Sequence, residues 1–150
     1  MPLAAATTEA NESLKTPVPP GFFYAGIGLR PMHNDDKQKS MKYALVVLAA
    51  PGSGPGNVRA QKFARALKKA NIVLTRVFFY GEGVCAASAE NADSIHKWSE
   101  IAATQDCDLV LCSASAETHG VLTLPTSFTL MGLGALMEAG HDCDRVISFD

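Results

Sequence analysis

The sequence predicts a three-layer α/β domain with a mostly parallel sheet and a flavodoxin-like topology. Three observations lead there. From Met41 on, apolar runs of strand length alternate with segments of helical period, and glycine-bearing or proline-bearing loops punctuate them. The strand-like runs are near-continuous rather than alternating, as in strands covered on both faces. Strands alternating with helices in turn imply parallel pairing through crossover connections.

Residues 43–48 (YALVVL) make the first strand. The loop Ala50-Pro51-Gly52-Ser53-Gly54-Pro55-Gly56 follows. Asn57 can cap a helix running to about residue 70, with Val58, Phe63, Ala66, Leu67 and Ala70 turned inward. Residues 72–80 (IVLTRVFFY) form the second strand, closed by the turn Gly81-Glu82-Gly83. Residues 94–103 read as a helix whose apolar stripe is Ile95, Trp98, Ile101 and Ala102. The third strand is Asp108-Leu109-Val110-Leu111-Cys112, and the small residues Ser113-Ala114-Ser115-Ala116 open a helix behind it. Residues 129–139 are expected to be helical despite Gly132 and Gly134, which would let another element approach closely. Residues 144–149 are the final strand.

Residues 1–40 differ in composition. Thr7-Thr8-Glu9-Ala10-Asn11-Glu12-Ser13 and Asn34-Asp35-Asp36-Lys37-Gln38-Lys39-Ser40 are polar runs, and Pro17-Val18-Pro19-Pro20-Gly21 interrupts any regular structure. Such composition buries too little apolar surface to offset ordering entropy. The expectation is a flexible N-terminal extension over 1–40, or upstream sequence ahead of a working start at Met41, followed by one domain over 41–150. The patch Gly21-Phe22-Phe23-Tyr24-Ala25-Gly26-Ile27 is the exception and can dock on the domain or a partner.

Composition narrows the function classes. At 150 residues, 47% hydrophobic and 19% charged, the chain is an ordinary globular protein. It has no apolar run of the ~18 residues that span a bilayer, and a net charge of -2 predicts no general affinity for DNA or other nucleic acid. No secretory signal is evident at the start. Cys85, Cys107, Cys112 and Cys143 are not spaced as CxxC, and His33, His96, His119 and His141 are scattered. Reduced thiols, a cytoplasmic location and no metal or organic cofactor are therefore expected.

Cys112 is the leading candidate for chemistry. In a parallel sheet the crevice beyond the carboxyl ends of the strands is where ligands bind, and a helix N-terminus there favours thiolate over thiol. An inert, buried cysteine is the alternative. His119, seven positions on, can serve as a base or stabilise a thiolate by charge, or can simply sit on a surface loop. The glycine loop with Gly52, Gly54 and Gly56, and Glu82 where a ribose-binding acid would stand, is the rival site and would make the chain a small nucleotide-binding domain. Its spacing is GxGxG, Pro55 removes an amide donor, and no Lys-Ser or Lys-Thr follows. Arg59, Lys62, Arg65, Lys68 and Lys69 form a basic stripe that suits an RNA backbone or acidic partner, or only solvent.

Several stretches together resemble the DsrE/TusD family of sulfur relay proteins. They are Met41-Lys42-Tyr43-Ala44-Leu45-Val46-Val47, Phe63-Ala64-Arg65-Ala66-Leu67 and Val77-Phe78-Phe79-Tyr80-Gly81-Glu82-Gly83-Val84. Trp98, the strand end at Cys112, Phe128 to Leu136 and Cys143-Asp144-Arg145-Val146 complete the pattern. The resemblance covers 41–150 and implies a DsrE-like domain that accepts sulfane sulfur as a persulfide on Cys112. It also implies relay to a partner protein, in transfer RNA 2-thiouridine formation or sulfur oxidation, within a hetero-oligomer of related small subunits. Thr118 and His119 stand where the family pattern has two arginines, and the segment between Gly120 and Phe128 is shorter. Those departures leave open a non-catalytic assembly or regulatory subunit of the same fold.

Overall fold

The computed structural model describes residues 40–150, so the expectation of a flexible extension falls outside the described residues except at Ser40. The elements are β1 (Lys42–Val47), α1 (Gly56–Lys69), β2 (Val73–Phe79), a 3₁₀ segment (Gly81–Ala87) with a short second turn (Ala89–Asn91), and α2 (Ala92–Gln105). Then come β3 (Asp108–Cys112), α3 (Ser113–Thr118), β4 (Phe128–Met131), α4 (Gly134–Asp142) and β5 (Arg145–Phe149). The five strands form an all-parallel sheet in the order β4-β3-β2-β1-β5. The reversal of direction falls between β1 and β5, whereas the flavodoxin order 2-1-3-4-5 reverses between β1 and β3.

Side chains alternate across the sheet. Leu45, Val47, Val77, Phe79, Leu109 and Leu111 face α1 and α2, where they meet Ala60, Ala64, Leu67, Trp98 and Ile101 in the main core. Phe78, Val110 and Cys112 face the other way, against Ala135 and Leu136 of α4. Among the described residues, one face is thus thickly covered and the other carries a single short helix.

The structure corrects three readings. Residues 129–139 are not one helix. Phe128–Met131 is an edge strand in register with β3, from Leu109 opposite Phe128 to Cys112 opposite Met131, and the helix begins only at Gly134. The apolar spacing of Leu130, Leu133, Leu136 and Met137 satisfies a helical period, but the ladder to β3 outweighs it. Asn57 does not cap α1, which starts at Gly56 without a side-chain cap bond. It is buried instead, its Nδ2 donating to the Ala49 carbonyl at 3.4 Å and its Oδ1 accepting from Gln61 Nε2 at 3.0 Å and Trp98 Nε1 at 3.3 Å. The inward stripe of α1 is accordingly rotated. Asn57, Ala60, Gln61, Ala64 and Leu67 are buried, while Val58, Ala66 and Ala70 are exposed. Two amides take core positions because they satisfy each other and the buried indole N–H.

Gly83 shows how tightly the 3₁₀ segment lies on β1. A Cβ there would overlap the Val47 carbonyl, whereas a Cβ on Gly132 meets nothing within 4 Å. Gly83→Ala is expected to cost roughly 2–3 kcal/mol as overpacking, read as a lower urea midpoint at unchanged m-value. Gly132→Ala serves as the neutral control.

Candidate functional site

Cys112 is the last residue of β3 and the first non-helical residue before α3, with extended backbone angles (φ -63°, ψ 118°). Period-two alternation from Leu111, which faces the main core, turns the Cys112 side chain to the α4 face. There it packs with Phe78, Val110 and Ala135 and is only 3% exposed. The strand thus delivers the thiol to the carboxyl edge of the sheet, but under a cover.

All four cysteines are free thiols. The Cys107 thiol, at the amino end of β3, is pushed from its usual 9 up to about 12 by burial, with Asp108 and Asp106 adding to the effect. The Cys85 thiol, half-buried in the 3₁₀ segment, is raised by burial and then by the charges of Glu82 and Glu90. Both are held as thiols, the unreactive form. Cys143 lies half-buried with Sγ 2.9 Å from Thr75 Oγ1.

The raised Cys107 value has a stability consequence. A thiol that keeps its proton in the folded state contributes fully below pH ~9. Above it the unfolded chain ionises and the folded one does not, so the contribution is lost between about 9 and about 12. Cys107→Ala should therefore lose roughly 2 kcal/mol less than the parent on going from neutral pH to about 10.5. Paired denaturant titrations at the two pH values check this.

His119 follows the last residue of α3 and is exposed. It lines an open cleft of about 310 Å³ with Tyr80, Gly81, Ala114, Ser115 and Thr118. Cys112 does not line that cleft; the two residues stand at opposite ends of α3, about 10 Å apart along the helix axis at 1.5 Å per residue. Ser115 Oγ accepts a bond from the Gly81 N–H at 3.1 Å, which pins α3 to the 3₁₀ segment.

The rival features have local explanations. Gly52 and Gly54 take positive φ in the turn, and a Cβ on Gly56 would overlap the Asp150 carbonyl, so that glycine serves packing against the end of β5. Glu82 is exposed on the 3₁₀ segment. Within the basic stripe, Arg65 pairs with Glu100 of α2 at 3.2 Å, and Arg59, Lys62, Lys68 and Lys69 are exposed. Among the described residues no three His, Cys, Asp or Glu side chains converge as a metal site, and no helix is long and apolar enough to cross a membrane.

Sequence reasoning missed Arg76, the one charged residue in the strand VLTRVFF. That position was the available signal, since a charge in such a run must find partners. Its Nη1 donates to the Ala135 carbonyl at 3.0 Å, its Nη2 to Asp108 Oδ2 at 3.4 Å, and Glu138 Oε2 lies 3.7 Å from Nη1.

Comparison with known proteins agrees with this architecture. The DsrE/DsrF-like family pattern matches residues 41–149. Sulfurtransferase TusD of Yersinia pestis is 33% identical over 129 residues, covering 73% of this chain and 98% of its own length. The protein of the same name from Yersinia pseudotuberculosis matches to the same degree. The crystal structure of the ychN protein from E. coli superposes with a TM-score of 0.62 at 24% identity, over 73% of this chain and 99% of that one.

Proposed function

The chain belongs to the DsrE/DsrF-like family, and from that premise we propose that it is a sulfurtransferase subunit carrying persulfide sulfur on Cys112. The observation that carries the reading is the position of Cys112. It ends β3 at the carboxyl edge of the sheet, in a chain 33% identical to proteins named sulfurtransferases. In the loading step the Cys112 thiolate attacks the outer sulfur of a donor persulfide. The new Cys112 S–S bond forms as the donor S–S bond breaks, and the donor leaves as a thiolate. Delivery repeats the exchange with an acceptor thiolate, so electrons balance without metal or organic cofactor. Cys85 and Cys107, held protonated, are the poorer nucleophiles. A reducing, cytoplasmic setting fits four free thiols.

The partners we assign are an upstream persulfide donor, a downstream sulfur acceptor and related small subunits. The end point, transfer RNA thiolation or sulfur oxidation, is set by which acceptor docks. Met131, Leu133, Met137 and Val146 are 38–73% exposed around the thinly covered face, and apolar surface of that kind marks a protein-binding site. The purified chain is expected to sediment as an oligomer at micromolar concentration, and to co-purify from its host with related small subunits. A monomer in both settings would remove the relay complex.

The decisive experiment is intact mass after incubation with a persulfide donor. A carrier gains sulfur in steps of about 32 Da that reductant removes. The second reading, a non-catalytic assembly subunit, is favoured by the burial of Cys112 and by Thr118 and His119 at the arginine positions. It predicts no gain.

A further inference from the structure

Resting on the reading of Cys112 as the sulfur-accepting thiol, we propose that Arg76 is a positioning residue that latches α4 over that thiol and sets its access. The reaction requires such an opening. A persulfide is one sulfur atom longer than a thiol, and Cys112, 3% exposed, sits in a buried cluster with Phe78, Val110 and Ala135. Phe78 and Val110 belong to central strands of the sheet, so they cannot withdraw without breaking it. Ala135 can, because it rides on α4.

The cover is lightly held by apolar contact. Ala135 and Ala139 are the buried residues of α4, Leu136 is half-buried, and Met137 is 73% exposed. Polar contacts supply the rest. From β2, Arg76 donates to the carbonyl of Ala135, the α4 residue that shares a buried cluster with Cys112, and reaches Glu138 one turn further on. Its second nitrogen bonds Asp108 of β3, so the guanidinium ties the helix to the sheet. The Arg76 side chain is 20% exposed and its part-buried bond to the Ala135 carbonyl is charge-assisted, whereas Asp108 and Glu138 are 67% and 65% exposed, so those two pairs contribute less. The closed state also leaves Arg76 Nε buried without a partner among the described residues, a cost that opening relieves. Gly132 and Gly134 join β4 to α4 with open space around their Cβ positions, which suits a hinge.

The test measures modification of each cysteine in the full chain by N-ethylmaleimide, resolved by peptide mass, in the parent, Arg76→Gln and Glu138→Gln. Breaking the latch should speed labelling of Cys112 about tenfold in Arg76→Gln and about twofold in the milder Glu138→Gln. Cys107, buried at the other end of β3, should label at the parental rate in both. Unchanged Cys112 labelling in Arg76→Gln overturns the latch, and so does parallel acceleration of Cys107, which reports general unfolding. Sulfur uptake from sodium tetrasulfide is measured beside it. Faster labelling with no uptake in any of the proteins upholds the latch and removes the carrier role.

Discussion

Replacing Cys112 with serine is expected to abolish sulfur uptake, while the corresponding serine variants at Cys85, Cys107 and Cys143 keep at least most of it. The effect is all-or-none because the persulfide bond is made to that sulfur, and a hydroxyl cannot replace it as a carrier. Fold loss is an unconvincing source of a null result here. Cys112 contributes a small side chain to the thin cluster on the α4 face, away from the main core, so burying the serine hydroxyl there should cost about 1–3 kcal/mol and leave the variant folded. The measurement is intact mass of each variant after donor incubation, with and without reductant. Wild-type loading of Cys112→Ser would transfer the role to another thiol. Cys143 would then be the first alternative, because Cys85 and Cys107 are held protonated.

Trp98→Ala is expected to remove about 4 kcal/mol of stability, the range for deleting a large buried aromatic. Trp98 is fully buried, stands edge-on to Phe79 at a centroid separation of 5.2 Å, and donates its indole N–H to Asn57. It thereby joins α2 to the sheet and to α1 at once. Against a total of roughly 5–15 kcal/mol for a domain, the loss is large. Trp98→Phe keeps most of the packing and drops the hydrogen bond, leaving Asn57 Oδ1 with Gln61 alone, and should cost nearer 1–2 kcal/mol. Denaturant titration separates the two. Because Trp98 lies on the face opposite Cys112, sulfur uptake per folded molecule should be near parental. A loss under about 1 kcal/mol for Trp98→Ala would contradict its role as a joint.

The parts of the fold that were legible share a physical cause. The sequence shows β3 with its observed bounds, Asp108–Cys112, because five residues suffice to show a strand buried on both faces between polar and small neighbours. β1, α1, β2, α2 and β5 are legible to within one or two residues for the same reason: each carries its own period. β4 carries none that distinguishes it. Its four residues run into an apolar stretch of helical spacing, and only the hydrogen bonds to β3 make it a strand. Asn57, with Gln61 beside it, looks like a surface residue until Trp98 arrives from 41 positions away to need an acceptor.

The candidate site divides in the same manner. Sequence alone determined that Cys112 ends a buried strand and opens a helix, since both facts are local. Tertiary structure alone decided which face its side chain takes, that it shares a buried cluster with Ala135 of α4, that His119 stands at the far end of α3, and that Arg76 reaches across to Ala135. Those four depend on how the crossovers stack helices on the sheet, and contacts between residues distant in the chain leave no local period to read.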